Sequence, residues 1–97
     1  MWQEYTRLKP DATPAWMNLG LALVQVDRDT DARDVFASVV QREPGNPAAH
    51  VNLAYALANT NRYGDSLKEF RVALGLEKDP AGRAEIEQAI ATLLGTH

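Results

Sequence analysis

Displaced by 34 residues, this chain falls onto itself. Asn18, Leu19, Gly20, Ala22 and Leu23 land on Asn52, Leu53, Ala54, Ala56 and Leu57, and Arg28, Asp31, Ala32 and Phe36 land on Arg62, Asp65, Ser66 and Phe70. The register extends backwards, with Trp2 falling on Phe36 and Pro10 on Pro44. A period of this length marks one supersecondary unit used repeatedly. Such a unit cannot bury its apolar face alone, so successive copies must stack.

Each unit carries two helical stripes. Trp16, Leu19, Gly20 and Leu23 recur at spacings of three and four, and Ala32, Phe36, Val39 and Val40 do the same after the polar run Asp27-Arg28-Asp29-Thr30. In the next unit the stripes are His50, Leu53, Ala54 and Leu57, then Leu67, Phe70, Ala73 and Leu74. Thr13-Pro14-Ala15, Asn46-Pro47-Ala48 and Asp79-Pro80-Ala81 each place a capping side chain before a proline at the first helical position, where a missing N–H costs nothing. The pattern predicts helices near 2–9, 14–26, 31–42, 47–60, 64–76 and 80–94. Gly20 and Ala32, and likewise Ala54 and Ser66, remove bulk where the helices of one hairpin meet. Phe36 and Phe70 fill the wider space beside each close contact.

These residues resemble the tetratricopeptide repeat. Trp16, Leu19, Gly20, Leu23, Ala32, Phe36 and Pro44 carry the likeness in one unit, and Leu53, Ala54, Leu57, Ser66, Phe70 and Ala73 in the next. Val39 stands where the family prefers a small residue, Arg42 where it prefers an aliphatic one, and Lys78 where it has proline. The resemblance implies an all-α fold, a right-handed α-solenoid of helix-turn-helix repeats. Two full repeats, 13–46 and 47–80, would be flanked by residues 1–12, the second helix of an incomplete repeat, and by a C-terminal capping helix in 81–97, all in one domain. Glu87 falls where the repeats carry Gly20 and Ala54, which suits a last helix with a polar outer face. The half repeat at the start suggests a piece of a longer chain, or an N-terminal end covered by a partner.

The resemblance also implies where a ligand sits: on a concave face lined by the first helix of each hairpin. Met17, Asn18, Leu21, Val24 and Gln25 would face it from one repeat. Val51, Asn52, Tyr55, Ala58 and Asn59 would face it from the next, and Ala84, Glu85 and Gln88 from the last helix. Asn18 and Asn52 recur on equivalent turns, and an amide that donates and accepts can grip a peptide backbone. Met17, Leu21, Val24, Val51 and Tyr55 surround them with apolar surface not needed within a hairpin. The competing reading packs Leu21 and Val24 onto neighbouring helices and makes the two asparagines bridges between hairpins. Some family members hold an acidic C-terminus through basic residues beside such asparagines. Here Met17 replaces the lysine, and Ala81, Ala84 and Glu85 stand where cations are needed. An apolar or amphipathic ligand is therefore expected instead.

Other chemistry finds no support. The 97 residues carry a net charge of -3 and no cysteine, so there is no thiolate metal site and no basic field for nucleic acid. No apolar run reaches the roughly 18 residues of a membrane span. No basic-then-apolar leader opens the chain, and solubility with a cytoplasmic setting is the default. Asp27-x-Asp29-x-Asp31 resembles the start of a calcium loop, but Ala32 replaces the turn glycine and Ser38 the bidentate glutamate. His50 shares no metal-ligand spacing and substitutes for the aromatic represented by Trp16. The glycines are scattered, so no phosphate loop exists. The sequence thus points to a scaffold that binds a peptide or a partner helix, without catalysis, metal or cofactor. Self-association through Trp2 and Tyr5, or service as an accessory domain of a larger protein, is the alternative.

Overall fold

The computed structural model describes residues 13–95. Those residues form five α-helices and no strand: α1 Thr13–Gln25, α2 Asp29–Arg42, α3 Pro47–Asn59, α4 Tyr63–Leu76 and α5 Pro80–Gly95. The helix expected over 2–9, with Trp2, Tyr5 and Leu8, lies outside the described residues. Each helix packs chiefly on its neighbours in the chain, α1 on α2, α2 on α3, α3 on α4 and α4 on α5.

The bounds of α1 and α2 recur 34 residues later in α3 and α4, and so does the turn inside each pair. Asp27 and Asn61 both have positive φ, 62° and 65°. Short Asx side chains tolerate this left-handed region better than other non-glycine residues. The N–H of Arg28 reaches the carbonyl of Leu23 and that of Arg62 reaches Leu57, each at 2.8 Å, while Asp27 and Asn61 bond back to Val24 and Ala58. These paired bonds form a Schellman ending that satisfies the orphan carbonyls of the first helix. The next helix then starts at once, so α2 begins at Asp29 rather than 31. Arg28–Asp31 and Arg62–Asp65 ion pairs, at 2.5 and 3.3 Å, cross the first turn of the second helix in the two hairpins.

Two of the three expected starts cap as anticipated. Asn46 Oδ1 accepts from the N–H groups of Ala48 and Ala49, and Asp79 Oδ1 accepts from that of Ala81. Thr13 differs. It is already helical, equivalent to Pro47 rather than to Asn46, and its hydroxyl donates to Glu43 beyond the end of α2.

One core spans α1, α2 and α3 through Trp16, Leu23, Val35, Phe36, Val39, Leu53 and Leu57. A second spans α3, α4 and α5 through Ala54, Phe70, Ala73, Ile86 and Leu93. Burial of each large apolar side chain contributes about 1.5–3 kcal/mol. Two of the three departures from the family pattern have physical explanations here. Val39 is fully enclosed in the first core. Arg42 sets its guanidinium over the Trp16 ring, 5.7 Å from the centroid, so a cation on a long apolar stem covers an aromatic face.

His50 takes the place of Trp16 in the second hairpin and is equally buried, at 5% exposure. Its Nε2 donates to the Pro44 carbonyl at 2.7 Å, and its Nδ1 faces Glu69 Oε1 at 2.7 Å. A carbonyl only accepts, so Nε2 carries hydrogen. A proton must also lie between Nδ1 and the carboxyl oxygen. The imidazole therefore ties α3 to α4 and to the loop after α2. Ser66 adds a second buried tie, its hydroxyl donating to the Ala54 carbonyl at 2.6 Å.

Candidate functional site

Two adjoining clefts open between α3 and α5, with α4 beneath them. The larger, about 610 Å³, is walled by Tyr55 and Ala58 on one side and by Ala84, Glu85, Gln88, Ala89, Thr92 and Leu93 on the other, over Phe70. The second, about 240 Å³, continues along α3 past Tyr55 to Asn52, Val51 and Ala48. Glu77, Gly82, Glu85 and Ile86 face them.

Tyr55 stands where the clefts meet. Its ring meets Phe70 edge-on, with centroids 5.1 Å apart and planes at 86°, and it remains 50% exposed. The contact holds the tyrosine against Phe70 while half of its surface stays open to solvent. Edge-to-face pairs of this kind add about 0.5–1.5 kcal/mol beyond burial, which holds the ring upright. Asn52 is half-buried, and its Nδ2 donates to Met17 Sδ at 3.8 Å. A thioether is a weak acceptor, so this amide loses little by turning to a better partner.

Of the residues expected to face a ligand, Val51, Asn52, Tyr55, Ala58, Ala84, Glu85 and Gln88 line the two clefts. Met17 joins them through Asn52. Asn18 and Gln25 are exposed on α1, and Leu21 is 46% exposed, but none of the three lines either cleft. Val24 is half-buried against the first core. Asn59 turns away and donates to Asp29 Oδ1 at 3.4 Å, bridging α3 to the start of α2.

Phe70, read from the sequence as interior, also lines the larger cleft, and so does Leu93. Their helical spacing gives the same signal for a residue that fills the core and for one whose outer edge floors a cleft. Glu77 and Gly82 lie at the junction of α4 and α5: Glu77 repeats Glu43 at the 34-residue period, whereas Gly82 falls on Ala48, and the period gives neither residue a place in a cleft.

Within the described residues, no helix is long and apolar enough to cross a membrane. A family model described as tetratricopeptide repeat matches residues 23–93. No curated protein matches the chain.

Proposed function

The chain belongs to the tetratricopeptide repeat family, and from that premise we propose that it binds a peptide or a partner helix along the face made by α3 and α5. Repeats of this family mediate protein–protein interactions on a non-catalytic scaffold. The single observation that carries the reading is Tyr55: a half-exposed aromatic ring, braced by Phe70, between two adjoining clefts. Braced aromatic side chains over desolvated pockets carry a large share of interface energy. Asn52 beside it offers a donor and an acceptor to a peptide backbone. Met17, Asn18, Leu21, Val24 and Gln25 extend the face along α1, and Gln88 closes it on α5.

A displayed peptide library selected on the full chain tests this. Enriched peptides should lose tenfold or more in affinity for the Asn52→Ala/Tyr55→Ala double variant, with its helical circular dichroism unchanged. A library that yields no binder, or binders that ignore the double variant, would overturn the assignment.

A further inference from the structure

The charges around the clefts narrow the class of partner. Glu85 lines both clefts and Glu77 lines the second, whereas no lysine, arginine or histidine lines either. The nearest cation along α5, Arg83, is committed elsewhere: its Nη1 donates to the carbonyls of Leu74 and Glu77 at 2.7 and 3.2 Å. Glu77 is held in place, Oε1 accepting from the N–H groups of Lys78 and Asp79 at 3.1 and 3.2 Å. Glu85 is exposed, and no hydrogen bond or ion pair engages its carboxylate among the described residues.

Resting on the groove reading above, we infer that the occupant is a cationic amphipathic segment. It sets apolar side chains beneath Tyr55 and directs a lysine or arginine at Glu85 and Glu77. Seating any segment here removes water from Glu85. A neutral or acidic segment leaves that carboxylate desolvated without compensation, whereas a cation pairs with it. The apolar walls formed by Phe70, Ala89 and Leu93 lower the local dielectric and strengthen the pair. Selection against acidic segments follows from the same carboxylates.

Three synthetic helical peptides sharing one leucine stripe, with lysine, glutamine or glutamate on the polar face, provide the test by fluorescence anisotropy with the full chain. At about 0.05 M salt the lysine peptide should bind about three- to tenfold tighter than the glutamine peptide, and the glutamate peptide should be the weakest. The gap should close near about 0.5 M as charges are screened. Glu85→Gln should remove most of the lysine advantage. Glu87→Gln makes the same charge change at an exposed position of α5 that lines neither cleft, and it should leave the advantage intact. If the glutamine peptide binds but charge makes no difference, or if Glu85→Gln and Glu87→Gln act alike, the inference is overturned and the groove reading stands. If none of the three binds, the groove reading itself fails.

Discussion

The ring of Phe36 lies against the bare backbone of Gly20: a Cβ built on the glycine would stand 2.4 Å from Cε1 and 2.5 Å from Cζ. Phe36 is buried in the first core, so the ring has little room to retreat. Gly20→Ala should therefore overpack the hairpin at a cost of about 1–3 kcal/mol, only partly offset by the gain of about 0.8–1 kcal/mol in helix propensity. Gly75 supplies the contrast, since a Cβ there meets nothing within 4 Å. Gly75→Ala should raise stability by about 0.5–1 kcal/mol. Urea unfolding of both variants decides the matter, and a Gly20→Ala protein as stable as its parent would sink the argument.

Ser66 tests the second hairpin. Its hydroxyl is fully buried and donates to the Ala54 carbonyl at 2.6 Å. The equivalent position in the first hairpin is Ala32, also fully buried, so the fold accepts a side chain without the hydroxyl. Ser66→Ala should cost about 0.5–1.5 kcal/mol, the net worth of one hydrogen bond. Ser66→Val, which adds bulk in the same place, should cost more. Thermal unfolding that ranks the two variants the other way would show that the bond, and not the space, sets the limit.

The contact between His50 and Glu69 needs one proton between Nδ1 and Oε1. A glutamine at position 69 can supply that hydrogen from its own amide to a neutral ring, while Nε2 keeps its bond to Pro44. Glu69→Gln should hence stay within about 0.5 kcal/mol of the parent, whereas Glu69→Ala leaves a buried ring nitrogen unsatisfied and should cost about 1–3 kcal/mol. Equal losses in the two variants, measured in urea, would mean that the pair acts as an ion pair alone.

The fold was legible because many residues vote for it. Gly20, Ala32 and Phe36 recur as Ala54, Ser66 and Phe70, and the helices keep the same offset. The turn was legible in outline, although the left-handed roles of Asp27 and Asn61 became apparent only from the backbone. The lining of the clefts was legible for residues on the outward face of α3, as with Tyr55 and Asn52. It was hidden where a side chain both fills the core and floors a cleft, as with Phe70, or where position depends on a tertiary approach, as with Glu77. Thr13 shows the same limit: it reads as a cap, yet its partner Glu43 is 30 residues away. His50 and Glu69 are 19 apart and meet only because α3 and α4 fold back on each other.

Glu43 gives the chain an acid-sensitive tie between α1 and the loop after α2. Thr13 donates to one carboxyl oxygen and Asn46 Nδ2 to the other, the latter at 3.1 Å. These bonds, first that of Thr13 and then that of Asn46, hold the carboxyl below its ordinary value of 4.5 and outweigh a small opposing effect of burial. Both bonds are lost on unfolding, so the folded value is the lower one. The stabilisation is therefore fully present above the unfolded value and disappears as pH falls through the folded one. The carboxyl is only half-buried, so water screens it and the effect is small. Glu43→Gln has no charge to titrate, so the difference in Tm between parent and variant should shrink on going from about pH 6 to about pH 3. Thr13→Val removes the larger influence and should move the Glu43 midpoint up towards 4.5, as followed by the carboxyl carbon in NMR. A midpoint that stays put in that variant would assign the shift to Asn46 and release Thr13 from any role in joining the two ends of the hairpin.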